Sequence, residues 1–473
     1  MIAKQIERNG LFTALGFLLG AVNVLLLYTR VFTPEHYGTI SFILASASLL
    51  FPFLSLGMQQ TILRFFEGGD DKNRKQLASL SLQLVSMFSV LLLVIVLVFD
   101  QSIANQLSTS NRVDTEAVYA IMAVGILMAY FELFFALAKV HFKTTAGVFL
   151  KEVFPRLGIL FLLGSHFVVQ PLELNFFLLM LSVIYLIRAL IMGLMAYRLM
   201  PFALVQKGSQ SDYRRLLGYS GLVILGSGLS LAFLEIDKVM LHTLSSASNV
   251  ALYTVFVFMA TTIAIPLRSV QPLYNAQCAA LQHQQNTEKL TTLIQKTISI
   301  SSYYGVLILA VLLTFQPVLR FFLPEDYHTA FSVFPLLLAL KLIDSSFTPL
   351  NAPFYYSKFY QTYLLFSLGF LLIMLVLNVL LIPIYGIYGA ALATGAAVLL
   401  FSLVKVWVTT KLLLIKVLNT SHLVPALYGL VFLGAEFAIP APWLNGVRVG
   451  VLLSLLWVFW KRRVFSRTFL SYS

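Results

Sequence analysis

Long uncharged apolar runs separated by short polar turns recur along the chain, and the first hairpin sets the pattern. An apolar run from Leu11 ends at Tyr28 and Arg30. A Thr33-Pro34-Glu35-His36-Tyr37-Gly38 turn follows, and a second run closes on Gly57 and Arg64-Phe65-Phe66. Neither run carries a charge. An uncharged run of about 18 or more residues crosses a hydrocarbon core as a helix, because helices and closed barrels alone satisfy their own backbone groups there. The same rule along the chain predicts fourteen spans, with cores at 11–29, 38–57, 77–99, 117–138, 147–168, 174–197, 216–235, 250–270, 293–316, 329–350, 361–382, 386–408, 421–439 and 443–460. The first run is too long for a cleaved signal, and no small-residue cleavage site precedes Arg30, so it is expected to stay.

The hairpin recurs. Phe32-Thr33-Pro34-Glu35-His36-Tyr37 is echoed by Phe322-Leu323-Pro324-Glu325-Asp326-Tyr327, with weaker echoes at 248–254 and 382–390. Such self-similarity is how duplicated transporter halves show themselves, although Pro, Gly and Tyr also gather at helix ends for local reasons. Composition agrees with a protein that spans the membrane throughout: 59% hydrophobic, 11% charged and a mean hydropathy of +0.89. No gap between apolar runs would hold a soluble domain, which argues against a membrane-anchored catalytic head. One cysteine, Cys278, excludes an intramolecular disulfide and a multi-cysteine metal site. No glycine-rich nucleotide loop and no His-Glu-x-x-His are present, so no cofactor is expected.

Charge sets orientation. Counted over fourteen crossings, 23 of the 32 basic residues fall on the side of the N-terminus and five on the other. The richer side is read as cytoplasmic, with both termini inside. The net charge of +13 then reflects an anionic leaflet and needs no nucleic-acid partner.

Four basic residues fall inside spans: Arg156, Arg188, Arg268 and Lys341. A charge at membrane depth is expensive, so such residues face a bundle interior or a wet cavity and mark a pathway. Arg188 is deepest. Arg156, Arg268 and Arg64, nearer span ends, also admit snorkelling to the interface. Together they outline a cationic cavity suited to a large anion, since guanidinium groups grip phosphate oxygens through paired hydrogen bonds. The acidic residues inside spans are counter-charges or coupling groups. Asp344 is three residues after Lys341 and Glu152 four before Arg156, each spaced for an intrahelical pair. Glu132 has no local partner; it either answers Arg188 across the bundle or carries a coupling proton. Asp237 lies at the outer end of the seventh span with Glu235 and Lys238.

The Thr33-to-Gly38 turn, Leu56-Gly57 through Arg64-Phe65, Glu235-Ile236-Asp237-Lys238-Val239-Met240 with Tyr253 beyond it, and Ile382-Pro383 through Gly386, Gly389, Ala390 and Ala391 together resemble the polysaccharide biosynthesis proteins. These are the O-antigen and capsule flippases of the superfamily that also contains multidrug and lipid II exporters. The resemblance covers essentially the whole chain. It implies an all-α integral membrane fold: a six-helix bundle at 1–200, a cytoplasmic linker at 201–215, a second six-helix bundle at 216–416 around a shared central cavity, and a peripheral helix pair with a basic tail at 417–473.

The same resemblance implies a polyprenyl-pyrophosphate-linked oligosaccharide as substrate, carried across a bacterial cytoplasmic membrane by alternating access. Membrane lipid, polysaccharide polymerases and glycosyltransferases are the implied partners. A multidrug exporter of the same superfamily shares the fold, but its cationic substrates favour acidic cavities, and the first two spans contain no acidic residue. A polysaccharide polymerase or ligase would typically carry a large outer loop, and the outer loops here are short. A membrane scaffold would leave the intramembrane arginines without a purpose.

Overall fold

The computed structural model describes residues 2–66, 71–107, 114–168, 171–203, 210–357, 359–417, 423–438 and 441–462. Among these the chain is all-α. Part of the expected 201–215 linker, at 204–209, and Arg112 lie outside the described residues.

Local chemistry sets the helix boundaries. α1 (Ile2–Val22) passes through a π-helical turn at Asn23–Leu27 into α2 (Tyr28–Val31), and α3 (Pro34–Leu54) follows. Thr33 caps α3: its hydroxyl accepts from the His36 amide at 3.3 Å, Pro34 opens the helix and Glu35 sits in the first turn, where a carboxylate suits the positive helix end. Gly57, at φ +63°, turns the chain from α3 into α4 (Met58–Phe65). α5 (Asp71–Leu107) bends at Phe99, whose backbone leaves the helical region. α6 (Thr115–Val140), α7 (Thr145–Glu152), α8 (Phe154–Val168), α9 (Leu174–Leu199), α10 (Gln210–Leu244) and α11 (Ala247–Thr261) come next.

Beyond these lie α12 (Ile265–His283), α13 (Thr287–Thr314), α14 (Gln316–Phe322), a 3-10 segment at Glu325–Ser332, α15 (Phe334–Phe347), α16 (Asn351–Tyr355), α17 (Tyr360–Tyr385), α18 (Ile387–Leu412), α19 (Leu423–Ala438) and α20 (Ala441–Arg462). The echo of the first hairpin is visible in the backbone. Phe32 and Thr33 are extended before α3, and Leu323 and Pro324 are extended before the 3-10 segment. The tyrosine of each turn, Tyr37 or Tyr327, is buried.

Nine described helices are long and apolar enough to cross a membrane, and ten if Glu325–Ser332 and Phe334–Tyr355, bent by 58°, make one span. The other four of the fourteen expected cores fall on α7–α8, α10, α19 and α20, which are helical but do not meet that length-and-hydropathy measure over the described residues. Whole helix faces of large apolar residues are exposed, including Val90, Leu91, Val94 and Val98 of α5 and Leu372, Val376 and Leu380 of α17. Faces this apolar belong against lipid.

The chain forms two compact units, 1–254 and 255–473. The division falls inside α11, since α10 packs along α3 and α4 of the first unit. Gly38 lets the start of α11 reach α3: a Cβ there would occupy the place of the Ala247 backbone carbonyl. The core of the first unit gathers Met58, Ile62, Leu82, Val85, Leu133 and Leu137, with a second cluster around Phe131, Phe135, Ala189 and Met192. The second unit packs Cys278, Ile294, Ile298 and Leu350 together, and Phe354, Tyr363 and Val408.

Candidate functional site

In the first unit α6 and α9 lie side by side, and Arg188 comes from the middle of α9. The side chain is 5% exposed. Its guanidinium carbon lies 4.3 Å from the Phe131 ring centroid and 4.4 Å from that of Tyr185, so aromatic faces take the place of water. Nε of Arg188 is buried without a hydrogen-bond partner. Its electrostatic neighbours are Glu132 and Glu152.

Glu132 is shared among several cations. Lys151 Nζ, from α7, donates to its Oε1 at 2.5 Å, and Lys139, two turns further along α6, stands 3.9 Å from Oε2. Glu152 holds Arg156, whose Nη1 donates to the Glu152 carboxylate at 2.7 Å and to its carbonyl at 2.5 Å. Arg156 lies against bare backbone of α1, where a Cβ on Gly16 would stand 2.8 Å from its Nη1. The Asn23 side chain, in the π turn of α1, donates to the Arg156 carbonyl at 2.8 Å. A single π turn inside a helix is frequent at functional sites. The result is one charged cluster, with Arg188, Lys139, Lys151 and Arg156 set against Glu132 and Glu152. Two formal positive charges are left over; Arg188 is buried, while Lys151 is 44% exposed and Arg156 35%.

The remaining sequence candidates lie elsewhere. Arg64 is exposed at the end of α4, 5.9 Å from the Phe65 ring centroid. Asp237 of α10 is buried and accepts from the Tyr253 hydroxyl at 2.7 Å, while neighbouring Lys238 pairs with Glu235 at 2.6 Å. In the second unit Arg268 is exposed on α12, and Lys341 and Asp344 form their own pair on α15 at 3.1 Å. Arg188, Arg156 and Glu132 are thus brought together. Lys341 and Asp344 neutralise each other locally.

Three lysines counted in the sequence only as cytoplasmic charge take part in these interiors. Lys139 and Lys151 bind Glu132. Lys405 of α18 is 4% exposed, with Nζ 3.3 Å from Asn351 Oδ1, 3.4 Å from the Phe347 carbonyl and 4.6 Å from the Phe401 ring centroid. It sits where α15 breaks into α16, so the ammonium meets a carbonyl released by the broken helix. The signal for Lys405 was present: apolar residues flank it on both sides, as they do Arg188. At the opposite end of α6 from Glu132, a cavity of about 230 Å³ is lined by Glu35, His36, Asp114, Glu116 and His242. The first unit is therefore basic toward one end of α6 and acidic toward the other.

This arrangement of helices is a fold shared with several solved structures. A lipid II flippase MurJ in an inward closed conformation matches with a TM-score of 0.75 over 96% of this chain and 99% of that one, at 12% identity. An inward-facing multidrug resistance MATE family transporter matches with a TM-score of 0.65 over 90% and 96%, at 14% identity. A MOP superfamily transporter from Pyrococcus furiosus matches with a TM-score of 0.58 over 92% and 96%, at 16% identity. No curated protein matches by sequence. The family model for polysaccharide biosynthesis protein matches residues 4–270, and the chain belongs to that family.

Proposed function

We propose that the protein is a flippase that moves a polyprenyl-pyrophosphate-linked oligosaccharide across a bacterial cytoplasmic membrane for cell-surface polysaccharide biosynthesis, such as O-antigen or capsule. The observation that carries this reading is Arg188, buried at the centre of a net-positive cluster whose other cations, Lys139, Lys151 and Arg156, are partly exposed. Keeping the Arg188 guanidinium inside an apolar unit is costly unless an anion or water compensates it, and a pyrophosphate supplies that charge. Arg188 is the principal ligand, with Arg156, Arg64, Arg268 and Lys341 as further cations along the path. Glu132, Asp237 and Asp344 serve as counter-charges or coupling groups.

The protein screens the sugar headgroup from hydrocarbon while the prenyl tail stays in lipid, and two helical bundles alternate access to the headgroup. The driving force is an ion gradient, the membrane potential or removal of product, and both termini are cytoplasmic. Partner polymerases and glycosyltransferases would consume and supply the lipid-linked sugar. The MATE match favours drug export as the second reading, but a cationic drug is repelled by the cluster around Arg188. Deleting the protein tests the choice: accumulation of a lipid-linked oligosaccharide on the cytoplasmic face supports flipping. Unchanged lipid-linked intermediates with lost drug efflux would replace it.

A further inference from the structure

A second feature of the first unit lies on the same two helices as its charged cluster. Between α6 and α9 runs an apolar groove of about 440 Å³, within the size range of ligand sites. Tyr130 and Phe134 of α6 form one wall, Leu190, Gly193 and Tyr197 of α9 the other, and Phe202 closes the end. Gly193 lets the Phe134 ring lie directly on α9, since a Cβ there would stand 3.0 Å from that ring. Phe202 stacks on Phe134 with centroids 5.7 Å apart and meets Tyr197 edge-on at 5.5 Å. The Tyr130 hydroxyl is directed out of the groove and donates to Ser86 at 2.8 Å, so the lining stays apolar.

The groove has a length and a charged end. Its α9 wall runs from Leu186 to Tyr197, which at a helical rise of ~1.5 Å per residue is about 16 Å, half of a ~30 Å hydrocarbon core. That matches a hydrocarbon chain confined to one leaflet. At the Phe202 end the Ala203 amide donates to Ser79 at 2.9 Å, and exposed Lys75 lies one helical turn before Ser79 on α5. Exposed Arg198 follows Tyr197 at the same end. An apolar channel one leaflet long with two cations at its mouth is complementary to a phosphate headgroup above an acyl chain.

We propose that this groove is a binding site for an anionic glycerophospholipid, with one acyl chain along α9 and the phosphate at Lys75 and Arg198. A polyprenyl chain would overrun the leaflet, and an oligosaccharide finds no polar surface here. The proposal rests on the orientation given above only in assigning the lipid to the cytoplasmic leaflet.

The test uses the full chain in proteoliposomes carrying photoreactive diazirine phosphatidylglycerol or the matched phosphatidylcholine, with labelled peptides mapped by mass spectrometry. At about fivefold per cation, phosphatidylglycerol should label 126–134 and 186–197 roughly twentyfold more than phosphatidylcholine. The surface variant K75Q/R198Q should bring the two lipids to equal labelling. Gly193→Leu should abolish labelling of the groove while the lipid face of α17 stays labelled; if that variant fails to fold, K75Q/R198Q carries the test alone. Equal labelling of the unsubstituted protein by both lipids overturns the proposal. So does displacement of phosphatidylglycerol by an equimolar polyprenyl phosphate, which would make the groove a substrate-tail site. Labelling requires no flipping, so a failure of the transport reading leaves this result readable.

Discussion

His242 lies flat against Phe42, with ring centroids 4.0 Å apart and planes 17° from parallel. The stack ties α10 to α3 one turn beyond the point where Gly38 lets the backbone of Ala247 approach. Replacing Gly38 by valine has no room to relax, because the obstacle is backbone. The expected loss is about 1–3 kcal/mol, read as a lowered thermal unfolding temperature in detergent. His242→Leu should cost less, about 1 kcal/mol, the value of one aromatic pair.

Arg448 and Glu436 join α19 to α20, with Nη2 to Oε2 at 2.6 Å, Nε to Oε1 at 2.7 Å and Gln316 accepting from Nη2 at 2.7 Å. Both side chains are 6% exposed. Glu436→Gln strands a buried guanidinium and should destabilise by about 3–5 kcal/mol, whereas replacing both residues by methionine should recover most of that loss. Measured unfolding of the single and double variants in one detergent decides it. A double variant as unstable as the single would show that the pair is not the cause.

Glu132 and Lys151 contribute unequally although they share one bond. Lys151 is 44% exposed and Glu132 14%. Lys151→Met should cost under about 1 kcal/mol, as an exposed pair does. Glu132→Gln removes the carboxylate shared by Lys139, Lys151 and Arg188 and should cost about 1–3 kcal/mol. Equal losses would mean that Glu132 serves Lys151 alone.

The proposed topology predicts that a reporter inserted at Lys143 reads as cytoplasmic and one at Ser246 as external. A protease- or impermeant-label assay on sealed cells distinguishes the two. The same side for both would break the orientation drawn from the basic residues.

Much of the fold was legible because bilayer solvent imposes one rule, helices of a minimum length, and the runs beginning at Leu11 and Gly38 obey it without exception. Gly57 and the Thr33 turn announced their breaks through chemistry that is local in sequence. The site was legible only in part. Arg188 stood out because nothing nearby could pair with it, and Glu152–Arg156 and Lys341–Asp344 because helical spacing fixes intrahelical neighbours. The partners of Lys151 and Lys405 were hidden for the opposite reason: Glu132 and Asn351 lie 19 and 54 residues away, and only tertiary packing brings them together.

The central claim is that Arg188 holds the pyrophosphate of the substrate, and its measurement is flipping of lipid-linked oligosaccharide in proteoliposomes reconstituted at matched protein abundance. The account predicts graded loss: Arg188→Lys keeps the charge but not paired recognition and retains a fraction of the rate, while Arg188→Ala loses both and flips about tenfold more slowly still. Both variants should remain as abundant in the membrane as the unsubstituted protein. Reduced abundance of Arg188→Ala, with flipping restored when Glu132→Gln is added, would contradict the account and make Arg188 a structural counter-charge.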